Sequence, residues 1–106
     1  MLHEFGKNGQ STSALGMGTW ALAGEWTLGG NPAGWGPVEE QESIAAIQAA
    51  FSNGIRVFDT AANYGAGHSE RLLGRALGSN RTQCLIATKV GCVVHEAEKR
   101  VEWPTP

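Results

Sequence analysis

Two short apolar runs that each lead into a polar residue constrain the fold of this chain most strongly. Residues 55–59 are too apolar for a half-exposed strand and are typical of a parallel strand buried on both faces. Residues 85–89 repeat this pattern. Apolar residues at helical spacing occur over residues 38–53 and again after a predicted N-cap at Ser69. The alternation predicts an α/β fold with parallel strands and right-handed crossovers.

The remaining segments complete a single predicted domain. Asn8 and Gly9 supply the positive-φ pair of a tight hairpin turn. A short strand interrupted by glycine is predicted near residues 14–20, and the glycine-rich residues 23–37 are predicted to form a long loop. The organisation is therefore a β-hairpin, a unit of three strands and two helices, and a charged, proline-ended tail, at residues 1–13, 14–91 and 92–106.

Composition argues against several classes of partner. The 106-residue chain has a formal net charge of -2 and no cluster of Lys or Arg, which disfavours nucleic acid and anionic membrane surfaces. Its apolar runs are much shorter than the roughly 20 residues that span a bilayer. Cys84 and Cys92 lack the spacing of a metal site and the surroundings of a secreted disulfide scaffold. We predict a cytoplasmic protein with reduced thiols and no bound metal.

Asp59, Tyr64 and Lys89 are the candidate catalytic residues, because they follow the two apolar runs and are expected at one rim of the sheet. A free tyrosine has a pKa of about 10, so it needs help from its surroundings to act as a general acid. A nearby ammonium group favours the phenolate, and a carboxylate keeps that ammonium charged. Each residue alone has an ordinary structural explanation: a turn cap, a packed aromatic ring, or a strand end reaching solvent. Together they indicate carbonyl or alcohol chemistry.

A second motif competes with this interpretation. Gly16, Gly18 and Ala21 match the dinucleotide fingerprint of Rossmann folds, and Glu39 follows at about the distance of a ribose-binding acid. That fingerprint requires the glycines to open a helix directly after the strand. Residues 23–37 intervene before any predicted helix, so the sequence disfavours a Rossmann domain.

Several motifs in the same order resemble the N-terminal part of the aldo-keto reductase family. They are LGMGTW at residues 15–20, DTAANYG at 59–65, GHSE at 67–70, LGRAL at 73–77 and ATKVG at 87–91. The opening hairpin resembles the bacterial and potassium-channel-β-like branch. The resemblance implies the N-terminal segment of a (β/α)8 TIM barrel, with its active site at the carboxyl ends of the strands.

The resemblance also implies an activity, the NADPH-dependent reduction of an aldehyde or ketone to an alcohol by hydride transfer. By position, Tyr64 matches the family's proton donor, Lys89 the lysine beside it, and Asp59 the carboxylate paired with that lysine. His68 does not match the family's histidine, which lies on a later strand, and we interpret it as a turn residue.

Cofactor and substrate contacts are implied in the same way. Gly18, Thr19 and Trp20 match the end of the first strand near the nicotinamide, with Asp59 beside them. Trp20 and Trp26 are the candidates for contact with a small carbonyl substrate, although Trp26 has the alternative of pinning down its own loop.

A (β/α)8 barrel takes about 250 residues, and only three of its strands are predicted here. We expect the chain alone to be inactive, with no certain cofactor. Three accounts stay open: a fragment of a full reductase, a non-catalytic remnant that self-associates to cover its open strand edges, or a unit completed by another chain.

Overall fold

The computed structural model describes residues 2–7 and 9–104, and its first element is the predicted hairpin. Strand β1 (Leu2–Phe5) pairs antiparallel with β2 (Gln10–Ser13). Asn8, assigned to the turn, lies outside the described residues. The hydroxyl of Ser13 accepts a hydrogen bond from the Arg56 amide at 2.7 Å and donates to the Leu15 carbonyl at 2.6 Å. The hairpin is thereby tied to the start of the strand–helix unit.

Three parallel strands form the sheet that carries the candidate site. They are β3 (Gly16–Gly18), β6 (Val57–Asp59) and β7 (Leu85–Ala87), and β6 lies in the middle. Each is shorter than predicted, yet the pairing continues beyond the strand ends: the Thr60 amide donates to Ala87 at 2.8 Å and the Ala62 amide to Lys89 at 3.1 Å. Two strand ends are therefore held side by side at the same edge.

Both predicted helices are present, α1 at Glu40–Ser52 and α2 at His68–Leu77. Acidic residues occupy the first turn of α1, where the helix dipole favours anions, and Gly54 follows its end with a φ of 98°. The apolar stripe of α2 packs with Ile47 of α1 against Phe58 of β6, which is completely buried. This core consists of Ile47, Phe58, Leu72, Leu73, Ala76 and Leu77.

The predicted N-cap of α2 is wrong in position. Helix α2 begins at His68, and its N-cap is Gly67 with a φ of 95°, so Ser69 is already the second helical residue. Its side chain is completely buried and turns into the protein. The glycine supplies the left-handed entry to the helix, and this frees the serine hydroxyl for other partners.

The predicted loop and tail contain a sheet of four strands, the third sheet among the described residues. Strands β4 (Thr27–Leu28) and β5 (Asn31–Pro32) form a short hairpin inside residues 23–37. Strands β8 (Val93–His95) and β9 (Arg100–Glu102) form another, so residues 93–102 are not an irregular tail. Parallel pairing of β4 with β9 joins the two hairpins. Such short strands carry too few residues for an alternation signal, because their stability depends on partners far away in the sequence.

A second core lies where the four-stranded sheet packs against the turn between β6 and α2. It consists of Ala23, Trp26, Ala61, Tyr64, Ala66 and Val101. Within the described part of the chain, no helix has the length and apolar character needed to cross a membrane.

Candidate active site

Lys89 is held by two groups at the end of the central strand, the Asp59 carboxylate and the Thr60 carbonyl. Asp59 ends β6, and Lys89 lies two residues beyond the end of β7. Its Nζ donates to both carboxylate oxygens of Asp59 at 3.1 Å, and to the Thr60 carbonyl at 2.9 Å. The in-register pairing of β6 with β7 brings these groups together.

Tyr64 reaches the same place from the turn between β6 and α2. Its amide donates to the Ala61 carbonyl at 3.2 Å, and its ring is mostly buried. Gly65 follows with a φ of 63°, and a Cβ there would lie 2.5 Å from the Ala23 carbonyl oxygen, so only glycine fits without strain. The Tyr64 hydroxyl lies 3.3 Å from Lys89 Nζ. The three predicted catalytic side chains therefore converge.

The site keeps a positive charge beside the phenol. Partial burial lowers the pKa of Lys89, but hydrogen bonds to Asp59 and Tyr64 and the nearby charges raise the pKa more, so it lies above its usual value. The Lys89 and Asp59 side chains remain 51% and 48% exposed. A charged ammonium group is thus accessible from solvent next to a hydroxyl that can donate a proton.

Two tryptophans surround Tyr64, and they differ in exposure. Trp20 stacks on the Tyr64 ring with centroids 5.4 Å apart and planes 17° apart, while 43% of Trp20 is exposed. Trp26 tilts against Tyr64 at 6.3 Å and is only 4% exposed. Trp20 therefore offers a surface to a ligand at the mouth of the site. Trp26 mainly packs, although it also lines a neighbouring cavity of about 380 Å³.

The remaining predicted cofactor residues lie at the end of β3. Gly18 pairs with Asp59 and has no heavy atom within 4 Å of where a Cβ would be, so the backbone is open there. Thr19 is only 1% exposed, and its hydroxyl donates to the Asp59 carbonyl at 3.0 Å. The Thr19 side chain thus faces the interior rather than a ligand.

Sequence reasoning missed two residues of the site. The Thr60 carbonyl accepts a hydrogen bond from Lys89, a backbone role that no side-chain motif reveals. Ser69 was interpreted as a helix cap, but its hydroxyl lies 2.7 Å from that of Thr19 and 3.0 Å from that of Thr60. The sequence signal that could have revealed this role of Ser69 was Gly67, because a glycine can serve as the N-cap and leave the serine hydroxyl for other partners.

Known proteins are similar to this chain over most of its length. Residues 14–105 match the model of the aldo/keto reductase family. The aldo-keto reductase YhdN of Bacillus subtilis is 40% identical over 83 residues, which are 76% of this chain and 23% of the relative. The NADH-specific methylglyoxal reductase of Escherichia coli is 40% identical over 82 residues, again 76% and 23%. The chain thus spans about a quarter of the length of these relatives.

Two solved structures extend the comparison to the fold. The holo form of aldo-keto reductase AKR11C1 from Bacillus halodurans has a TM-score of 0.73 at 24% identity, covering 96% of this chain and 30% of the other. An aldo-keto reductase from Klebsiella pneumoniae in complex with NADPH has a TM-score of 0.58 at 29% identity, covering 85% and 28%. The predicted fold class is confirmed: the described residues form an α/β segment of a (β/α)8 barrel, without a closed barrel.

Proposed function

The chain belongs to the aldo/keto reductase family of NAD(P)-dependent oxidoreductases, and we propose that it supplies the proton-donating part of a carbonyl reductase. The observation that carries this proposal is the position of Lys89 Nζ, 3.1 Å from the Asp59 carboxylate and 3.3 Å from the Tyr64 hydroxyl. The proposed substrate is a small aldehyde or ketone rather than a nucleic acid or a membrane, in line with the net charge of -2.

Tyr64 acts as the general acid in this proposal. As the carbonyl carbon is reduced, negative charge develops on the carbonyl oxygen, and the Tyr64 hydroxyl donates its proton there to give the alcohol. The phenolate left behind is stabilised by the Lys89 ammonium group 3.3 Å away. Asp59 holds that ammonium group in place through both carboxylate oxygens.

A nicotinamide cofactor fits the residues present at the strand ends. Gly18 leaves the backbone open there, and the exposed side of Trp20 and the half-exposed carboxylate of Asp59 lie beside it. Gly18, Trp20 and Asp59 would hold the nicotinamide end, and the bound cofactor would supply the two electrons of the reduction. NADPH is our proposal for it, and a comparison of NADPH with NADH tests this choice.

A chimera tests the function. We would replace the matching segment of Bacillus subtilis YhdN with this chain and follow carbonyl-dependent NADPH consumption. Tyr64→Phe keeps the aromatic ring against the tryptophans but removes the donor, so kcat is expected to fall by about a hundredfold or more. The 106-residue chain by itself is expected to show no turnover. An active chimera with an unchanged kcat after Tyr64→Phe would overturn the proposal.

The open edges of the parallel sheet support a second proposal, self-association of the chain when it is produced alone. Strands β3 and β7 each pair only with β6 among the described residues. Ile86 within β7 is 39% exposed, and Val90 beyond its end is 91% exposed. Unpaired edges with apolar side chains favour association.

Light scattering on a sizing column tests this association. We expect a mass above the 11.2 kDa of one chain, and a return toward one chain after Ile86→Lys places a charge on the edge strand. A single-chain mass for the unmodified protein at every concentration would contradict association.

Two free cysteines support a cytoplasmic location, which is part of the proposed function.

A further inference from the structure

Three hydroxyl groups form a buried cluster directly behind the candidate site. Thr19, Thr60 and Ser69 are 1%, 1% and 0% exposed, and they come from the end of β3, the end of β6 and the start of α2. The Ser69 oxygen lies 2.7 Å from that of Thr19 and 3.0 Å from that of Thr60. Ser69 is therefore the link between the other two.

The hydrogen bonds of this cluster use each hydroxyl proton once. In one such arrangement, Thr60 donates to Ser69, Ser69 donates to Thr19, and Thr19 donates to the Asp59 carbonyl at 3.0 Å. The Thr19 carbonyl, 3.5 Å from the Ser69 hydroxyl, is a longer alternative acceptor. A buried hydroxyl that loses its partner carries a desolvation cost, because water cannot replace the lost bond. Removal of the middle hydroxyl therefore disturbs both neighbours.

Ser69 is also connected to the groups that surround the reacting atoms. Its amide donates to the Tyr64 carbonyl at 3.2 Å. Its hydroxyl holds Thr60, whose carbonyl accepts a hydrogen bond from Lys89 Nζ at 2.9 Å. One residue thus contacts the segment carrying the proton donor and the segment that holds the ammonium group.

We infer that Ser69 is a positioning residue, which fixes Tyr64 and Lys89 relative to each other through its buried hydroxyl and its amide. The importance of that geometry for catalysis rests on the proposed function. The positioning itself is a property of the folded chain and is measurable without turnover.

Competitive labelling of lysines with trace acetic anhydride at about pH 8 reports on this positioning. Only neutral amines react, and ordinary lysines are mostly charged at this pH. Lys89, whose pKa is raised by its partners, is expected to label more slowly than the exposed Lys7, which serves as the internal reference. Mass spectrometry of the digested chain gives the ratio of the two rates.

Two variants and one matched control are compared in the 106-residue chain. Ser69→Ala removes the central hydroxyl, and Thr60→Val removes one end while keeping the branched shape. Each is expected to raise the Lys89 to Lys7 labelling ratio by about twofold or more, as the loss of one buried hydrogen bond implies. Ser43→Ala is the control, because Ser43 is equally buried and its hydroxyl has no partner among the described residues. It is expected to leave the ratio unchanged.

The outcomes separate this inference from the proposed function. Circular dichroism checks that each variant is folded, and Thr60→Val decides the matter if Ser69→Ala does not fold. An unchanged ratio in the folded variants, or an equal rise in Ser43→Ala, overturns the positioning role even if the chimera reduces carbonyls. A raised ratio beside an active chimera whose kcat is unchanged by Tyr64→Phe supports the positioning role and contradicts the proposed function.

Discussion

Replacement of Lys89 by methionine is expected to separate the chemistry of the site from its stability. Methionine keeps an unbranched side chain but removes the ammonium group. Lys89 Nζ lies 3.1 Å from the Asp59 carboxylate, yet the two side chains are 51% and 48% exposed, so water screens the pair. Exposed ion pairs contribute about 0.2–1 kcal/mol. We therefore expect the free energy of unfolding to fall by about 1 kcal/mol or less.

The effect on the reaction is expected to be larger. The variant loses the positive charge 3.3 Å from the Tyr64 hydroxyl, and in the proposed function this charge stabilises the phenolate left after proton donation. A positioned proton donor accelerates a reaction by about 10²–10⁴-fold. A hundredfold fall in kcat of the YhdN chimera corresponds to about 2.7 kcal/mol in the activation barrier. The rise in the activation barrier is therefore expected to exceed the fall in the free energy of unfolding.

Two measurements check this difference. Urea unfolding of the chain, followed by circular dichroism, gives the stability, and NADPH consumption by the chimera gives kcat. Lys7→Met is the matched control, because Lys7 is exposed in the hairpin turn, far from Tyr64 in the sequence. A folded Lys89→Met chimera whose kcat falls by less than about tenfold refutes the electrostatic reasoning. A stability loss above about 3 kcal/mol refutes the screening argument.

Three further predictions concern the folded chain, and urea unfolding checks each of them. Phe58→Ala opens a cavity in the completely buried centre of β6, so the free energy of unfolding is expected to fall by about 3–5 kcal/mol; a loss below about 1 kcal/mol contradicts the packing. Gly65→Ala forces a side chain onto a φ of 63° and is expected to destabilise by about 1–3 kcal/mol, whereas Gly74→Ala, with open space in helix α2, is expected to stabilise by about 0.5–1 kcal/mol. The two glycine variants must therefore differ in sign. Burial lowers the pKa of His68 below its usual 6.5, so the unfolded chain binds the proton more readily and stability is expected to fall as the pH drops below about 6.5. His68→Gln should remove that dependence, and an unchanged slope would refute its cause.

The parallel sheet and its helices were predictable because their signals are local. The apolar residues before Asp59 and Lys89 indicated parallel strands, and the stripe on α2 indicated a helix packed on them. Burial on both faces was wrong for β7, whose Ile86 is 39% exposed because β7 lies at the edge of the sheet. Neighbouring parallel strands end at one edge, so the sequence also predicted that Asp59 and Lys89 lie close together. Tyr64 follows the same apolar run as Asp59, so it was expected at this rim too, and the resemblance to a family added its role as proton donor.

The four-stranded sheet and the hydroxyl cluster were not predictable in this way. Val101 is completely buried in a cluster with Trp26 and Tyr64, and β9, which carries it, pairs with β4, so its neighbours lie far away in the sequence. Ser69 fits the local pattern of a helix cap, and its actual partners come from the ends of two different strands. Neither contact exists until distant elements meet, so no short window of sequence contains its signal.

The pairing of β4 with β9 also supports the aromatic side chains at the opening of the site. Val101 of β9 belongs to the same buried cluster as Trp26, and Trp26 leans against Tyr64. A one-residue deletion in the hairpin of β8 and β9 would shift the support under Trp26 and reshape the opening without changing Asp59, Tyr64 or Lys89. Residues 93–102 therefore offer protein engineers a remote position from which the opening beside Tyr64 can be changed.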